Sequence, residues 1–228
     1  VTIDPQSDRR PIPARKLAPV KWAARALAAS GVTPNAISLF GLAVGIGSGA
    51  ALWLTAVFPE FARPLWLASA AMVVARGVSN MLDGMVAVEH GQAGATGLFY
   101  NEVPDRISDV ALMVGAGYSL GGSVTAGWAA ACVALFVTYV RAIGTLAGAP
   151  ADFGGPMAKQ QRMFSLAAGS TFLAVTPVGW RLALGPEGAW GLTAVLLWVI
   201  VAGGVLTAIL RFRRAVRAVE TNAARDRS

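Results

Sequence analysis

The sequence predicts an all-α integral membrane protein: six transmembrane helices preceded by an amphipathic interfacial helix. Three observations predict it. Of the 228 residues, 55% are hydrophobic and only 14% are charged. A soluble domain carries about 25% charged residues, so this chain lacks the polar material to cover a water-facing surface. The apolar residues fall into runs of about 20, long enough to cross ~30 Å of hydrocarbon. The net charge of +7 is concentrated at the two ends, with Arg9, Arg10, Arg15, Lys16, Lys21 and Arg25 before the first run and Arg211, Arg213, Arg214, Arg217, Arg225 and Arg227 after the last. Basic residues flanking spans mark cytoplasmic ends and attract anionic lipid head groups. On a soluble chain the same charge would point to nucleic acid; this distribution excludes that partner. An ordinary soluble enzyme, a disordered chain and a coiled coil are excluded by composition, and collagen by glycines without a strict period.

Residues 1–14 are polar and contain Pro5, Pro11 and Pro13, so they read as an irregular lead-in. Residues 15–29 set Leu17, Val20, Trp22 and Leu27 among Lys and Arg, which suits a helix lying on the cytoplasmic membrane face. Pro19 is a candidate kink, and Ser30-Gly31 ends the helix. These stretches form a cytoplasmic N-terminal segment, 1–30. Six apolar runs follow, at about 36–57, 65–88, 105–121, 124–147, 160–179 and 189–210, within a transmembrane domain 31–212. Breaks fall at Pro59 and Pro64, Gly91 to Gly97, Gly121-Gly122, Gly148 to Pro156 and Gly179 to Gly188. An even number of spans puts both basic ends on one side, and the outer connections then hold only Arg63 and Arg181. The expectation is a multi-pass protein of the cell (inner) membrane with both termini cytoplasmic and a basic tail, 213–228. The first apolar run begins late, behind a basic segment, and is too long for an h-region, so no cleavable signal peptide is expected. The single Cys132 cannot form a disulfide within one chain. Small residues, as in 41–50 (GLAVGIGSGA), permit close helix approach.

Charges within spans cost about 3 kcal/mol each on insertion scales, so each needs a reason. Here they cluster. Asp83 lies near the inner end of the second run, Asp105 and Asp109 near the inner start of the third, and Arg76, Arg106 and Arg141 in or beside the same layer. The cytoplasmic segment 89–100 joins the two helix ends. Asn80, Asp83, Gly84 and Ala87 follow i, i+3, i+4, i+7, one helix face; Asp105 and Asp109 are i, i+4, again one face. Three carboxylates and an amide oxygen make an all-oxygen donor set, suited to Mg²⁺, Mn²⁺ or Ca²⁺ and not to zinc. Gly84 and Ala87 leave their face without bulk, so a ligand can lie against the backbone. A plain Asp–Arg network tying helices together is the alternative; the combined spacings beside a Gly/Ala face favour the ligand site.

The segment Asn80-Met-Leu-Asp83-Gly84-Met-Val-Ala87-Val88, followed by Asn101-Glu-Val-Pro-Asp105-Arg-Ile-Ser-Asp109, resembles the signature of the CDP-alcohol phosphotransferases (CDP-alcohol phosphatidyltransferases), D-x-x-D-G-x-x-A-R, a spacer, then G-x-x-x-D-x-x-x-D. The six spans, the preceding inner-face helix and Thr33-Pro34-Asn35 entering the first span also resemble that family. The resemblance implies an enzyme that moves a phosphatidyl-type group from a CDP-linked donor to an alcohol and releases CMP. It implies two divalent cations, Mg²⁺ or Mn²⁺, with Asn80, Asp83 and Asp105 on metal positions and Asp109 on the base that also faces the metals. Asn35, Gly84 and Ala87, with Asp83, fall on nucleotide-contact positions, and a homodimer is implied as well. Attack at phosphorus must be in line, metals can bridge the phosphate oxygens, and a carboxylate can take the acceptor's proton.

Three departures stand out. Asn80 replaces the first Asp, Val88 replaces the Arg, and Asn101 replaces the second Gly after a spacer some three or four residues longer than usual. Asn80 still offers a carbonyl oxygen but removes one negative charge. Glu102 is a candidate metal ligand to restore it, lying ~60° from Asp105 on an ideal helix, although Pro104 favours a first turn and would leave Glu102 outside. Arg76 and Arg106 are the candidate replacements for the missing Arg. An atypical bacterial branch of the family shares the N-x-x-D-G form.

Arg141, Lys159 and Arg162 form a second basic group on the cytoplasmic side, the latter two i, i+3 at a helix N-terminus that already favours anions. They read either as positive-inside anchors or as a pocket for a phosphate of the acceptor or donor lipid; the resemblance implies the pocket used by members with phosphorylated acceptors. Asn35 reads as an N-cap or, by resemblance, a nucleotide contact. His90, Asp152 and Glu187 read as loop charges. The expected reaction is transfer of a phosphatidyl-type group from CDP-diacylglycerol to a small phosphorylated polyol within the lipid membrane. Its rival is a member that binds CDP-lipid or metal without turnover, motivated by Asn80 and Val88. A transporter would need midplane charges in repeated broken helices, which the sequence does not show.

Overall fold

The computed structural model describes residues 17–89, 97–184 and 190–225, and within them the chain is helical, with seven α-helices and one isolated β-bridge, Leu184 to Trp190. Helix α1 (Ala18–Ala29) forms over most of segment 15–29. Pro19 does not kink it. It sits in the first turn, where a missing N–H costs nothing. One face of α1 packs Ala24, Leu27 and Ala28 against Ile37, Leu82, Met85 and Val86, while Trp22 is exposed.

Thr33 caps α2 (Pro34–Val57), accepting from Ala36 N at 3.2 Å, and Pro34 opens the helix. The cap role is therefore Thr33's, and Asn35 is exposed in the first turn. A 3-10 turn (Pro59–Phe61) leads into α3 (Ala62–Glu89). Helix α4 (Gly97–Gly117) starts earlier than the apolar run and continues through Pro104. The expectation that Pro104 leaves Glu102 outside the helix is thus corrected, since one lost N–H is tolerated inside a packed helix. Segment 90–96, with His90 and the expected Gly91 break, lies outside the described residues. Ser123 caps α5 (Val124–Leu146), and α6 (Lys159–Val175) and α7 (Leu192–Arg225) complete the chain. At about 1.5 Å per residue α7 is roughly 50 Å long, so the basic stretch beyond 212 continues the last helix as far as Arg225.

Helix contacts close a ring in the order α2, α3, α6, α7, α5, α4, back to α2. Leu52, Val73, Leu112, Met113, Ala130, Leu166, Leu197 and Ile200, drawn from all six, fill its interior. The small residues of α2 set the closest approach. A Cβ on Gly49 would lie 2.2 Å from the Ala111 carbonyl oxygen, and one on Gly115 would lie 2.1 Å from that of Gly49. Gly115→Ala must therefore push α4 off α2 and is expected to cost about 1–3 kcal/mol, read as earlier thermal unfolding in detergent.

The exterior is apolar: Phe40, Trp53, Leu67, Val74, Phe136, Val199 and Ile209 point outward. Among the described residues four helices, within Pro34–Val57, Pro59–Val88, Val124–Leu146 and Leu192–Arg225, are long and apolar enough to cross a membrane. Helix α4 falls short because Glu102, Asp105, Arg106 and Asp109 share its first half, and α6 because it has 17 residues and opens on Lys159 and Arg162. These two helices bring most of the charge into the bundle.

Candidate active site

The site lies where α3, α4 and α6 meet. On α3, Asp83 is buried (5% exposed) and its Oδ2 accepts a 2.8 Å bond from Ser38 Oγ of α2. Its Oδ1 lies 2.5 Å from the Gly84 backbone nitrogen. On α4, Asp105 and Asp109 are buried, as the i, i+4 spacing predicts for one inward face. Arg76, one turn before Asn80, donates to both Asn80 Oδ1 and Asp105 Oδ1 and so ties α3 to α4. Asp105 Oδ2 is 2.5 Å from Lys159 Nζ and 3.6 Å from an Arg106 nitrogen. Asp109 Oδ2 accepts from Arg162 at 3.2 Å, with Arg106 at 3.8 Å.

The start of α6 is positioned by the loop before it. Gly155 adopts φ +128, a left-handed conformation that favours glycine, and a Cβ there would meet Thr207 at 2.3 Å. Thr207 Oγ1 in turn accepts from Met157 N at 2.9 Å, and Arg162 donates to the Met157 carbonyl at 3.0 Å. The linker is thereby pinned to α7, and this delivers Lys159 and Arg162 to the carboxylates of α4.

The second basic group divides. Arg162, with 1% exposure, pairs with Asp109, and Lys159 pairs with Asp105. Arg141 points elsewhere. It pairs with Glu102 Oε2 at 2.9 Å, stacks over the Phe153 ring at 5.1 Å and lines a cavity of about 240 Å³. Arg211, Arg214 and Asp152 share that cavity, with Arg214 and Asp152 paired at 3.0 Å. Sequence reasoning assigned the two arginines to topology and Asp152 to a loop. The i, i+3 spacing of Arg211 and Arg214 on a continuing helix was the signal available. Glu102 Oε2 also accepts from Arg106 at 3.2 Å, so its carboxylate is turned to arginines. Gly84 and Ala87 are half-buried on α3, and Val88 is exposed.

Among the described residues, Asn80, Asp83, Asp105 and Asp109 offer oxygen donors, the type that suits a hard divalent cation. Among the described residues no three His, Cys, Asp or Glu side chains are grouped to hold one metal; Glu102, Asp105 and Asp109 are turned to basic partners, and Asp83 to Ser38 and the Gly84 backbone nitrogen. The Arg76 guanidinium nevertheless shows that Asn80 and Asp105 converge on a shared positive charge.

The sequence profile of CDP-alcohol phosphatidyltransferases matches residues 31–210. The chain belongs to the CDP-alcohol phosphatidyltransferase family. Members are metal-dependent phosphatidyltransferases, so the expected family is borne out. Among curated relatives, phosphatidylinositol phosphate synthase of Mycobacteroides abscessus is 26% identical over 85% of this chain and 81% of its own length. The enzyme of the same name from Streptomyces avermitilis is 25% identical, over 79% of this chain and 71% of its own. The fold matches that of Mycobacterium tuberculosis phosphatidylinositol phosphate synthase. Crystal structures with CDP-DAG bound and with manganese and citrate both give a TM-score of 0.68 at 22% identity, covering 86% of this chain and 92% and 88% of the respective chains.

Proposed function

We propose that this member of the family transfers a phosphatidyl group from CDP-diacylglycerol to a small phosphorylated polyol, with release of CMP. The observation that carries the reading is the junction at Arg141. Through Glu102 it touches the helix bearing the carboxylates, and on its other side it lines the cavity with Arg211 and Arg214. A reacting phosphorus and an anionic acceptor would thus be held side by side. Relatives named phosphatidylinositol phosphate synthase support a polyol phosphate as the acceptor.

In this reading Asn80, Asp83 and Asp105 hold Mg²⁺ or Mn²⁺, with Asp109 facing it. The two divalent cations those residues would hold would supply Lewis-acid stabilisation of the charge that develops on the phosphate groups. Gly84, Ala87 and Asn35 contact the nucleotide. Asp109 accepts the proton of the acceptor hydroxyl as its oxygen bonds to phosphorus and the phosphorus–oxygen bond to CMP breaks; Arg162 and Arg106 hold the carboxylate in position. Lys159, beside Asp105, serves the donor's diphosphate. Helices α2 to α7 all span the membrane, the two charged ones shielded by neighbours, with both termini cytoplasmic, α1 on the inner face and the chain paired as a homodimer.

Acceptor screening with labelled CDP-diacylglycerol tests the proposal. Arg141→Ala and Arg214→Ala are expected to raise acceptor KM by about tenfold or more, the scale of one lost charge-assisted contact, and to leave donor KM in place. Lys159→Ala is expected to act on donor KM instead. Equal damage to both substrates in the Arg141 and Arg214 variants would remove the cavity from acceptor recognition. The competing reading, a member that binds CDP-lipid without turnover, draws on Asn80 and on the pairing of Asp105 and Asp109 with cations. Metal-dependent CMP release from CDP-diacylglycerol separates the two.

A further inference from the structure

Two arginines meet at the end of the bundle opposite the carboxylates. Arg63 lies at the start of α3 and Asp83 near its end, roughly 30 Å apart at about 1.5 Å per residue, which is the thickness of the hydrocarbon core. Arg181, in the connection between α6 and α7, reaches the same corner. Its guanidinium carbon lies 4.7 Å from the centroid of the Trp66 ring. Trp66 stands at i+3 from Arg63 on α3, so the two share a helix face. Arg63 in turn donates to the Thr176 carbonyl, just past the end of α6, at 3.3 Å. Trp66 is 1% exposed and so forms a fixed floor under the pair.

Neither arginine has an anionic partner among the described residues. Arg63 bonds to a neutral carbonyl, and Arg181 meets only the indole face, its Nε buried without an acceptor. Glu60, on the turn before α3, is exposed and pairs with neither. Burial, and then the charge of Arg63 beside it, hold the Arg181 guanidinium below its usual range, so the two charges are close enough to oppose each other. An anion shared between them would relieve that repulsion, and a guanidinium fork matches phosphate oxygens.

The surroundings select the kind of anion. Phe61, Val175 and Trp180, next to these residues in the chain, are exposed. Aromatic side chains at the end of a span sit at the level of the lipid head groups, where the phosphate at hand is that of a lipid. A zwitterionic head group would add an ammonium to a corner that already holds two positive charges. We propose that Arg63 and Arg181, over Trp66, bind the phosphate of an anionic phospholipid in the membrane leaflet opposite the active site. The inference uses neither the CDP-donor nor the acceptor reading and stands or falls apart from them.

Native mass spectrometry of the full chain, released from nanodiscs of equal phosphatidylglycerol and phosphatidylcholine, tests it. The wild type is expected to retain phosphatidylglycerol in preference, with retention about fivefold weaker for each arginine removed in R63Q/R181Q. R63K/R181K keeps both charges and is expected to keep most of the preference. If the double glutamine variant does not fold, R181Q alone carries the expectation, because Arg181 makes no hydrogen bond among the described residues. Inorganic phosphate is expected to leave the bound lipid in place. Unchanged phosphatidylglycerol retention in folded R63Q/R181Q or R181Q would overturn the site. An equal loss in R213Q/R217Q, which removes two exposed arginines from the far end of α7, would reduce the effect to net charge and overturn it too. Equal retention of phosphatidylcholine by the wild type would end the selection for an anionic head group, and displacement by inorganic phosphate would replace the lipid with a free anion.

Discussion

Asp83→Ala and Asp105→Ala are each expected to abolish metal-dependent CMP release and binding of the CDP donor. Both carboxylates belong to the proposed cation donor set, and each faces the bundle interior. The two variants should differ in stability. Asp105 neutralises Arg76 and Lys159, so its removal strands buried positive charge at a cost of about 3–5 kcal/mol. Asp83 is held by Ser38 and the Gly84 backbone nitrogen and its loss should leave the fold closer to wild type. Thermal unfolding in detergent reports the stability difference, and labelled CMP release reports the activity. Wild-type turnover in Asp83→Ala, or activity that survives a chelator, would end the metal assignment.

Asp109→Asn is expected to separate binding from chemistry. Asparagine keeps the size of the side chain and can still accept from Arg162, but it cannot take the acceptor's proton. A base acts only in the chemical step, so kcat should fall by about 100-fold or more, the scale of one general base, with affinity for CDP-diacylglycerol preserved. Steady-state kinetics beside direct donor binding make the comparison. Normal turnover in this variant would remove Asp109 from catalysis. Loss of donor affinity equal to the loss of turnover would instead make it a cation ligand above all.

Much of the site is legible in the sequence because helical spacing carries it. The i, i+4 pair Asp105 and Asp109 and the i, i+3 pair Asn80 and Asp83 need no tertiary information to share a face, and the family resemblance rests on those same spacings. The membrane character was equally plain, since composition alone leaves no polar coat. Helix ends were harder to read. Helix α4 begins at Gly97, and its polar first turns carry no apolar run to mark them. Pro104 and Pro19 looked like breaks or kinks, but one sits inside a packed helix and the other in a first turn where it is harmless. Arg211 and Arg214 were masked by an explanation that was already sufficient, the excess of basic residues at a cytoplasmic end.

What the sequence by itself determined is the class of chain, its family and the identity of the carboxylates on α3 and α4. Only the tertiary structure decided which cation meets which carboxylate: Arg76 on Asn80 and Asp105, Lys159 on Asp105, Arg162 on Asp109, and Arg141 withdrawn to Glu102 and a separate cavity. The physical reason is the range of the two kinds of order. Helical periodicity fixes neighbours within one helix, whereas partners on different helices depend on how closely those helices approach. That approach is set by Gly41, Gly45 and Gly49 of α2 against α3 and α4, and by the Gly155 turn that anchors α6 to α7.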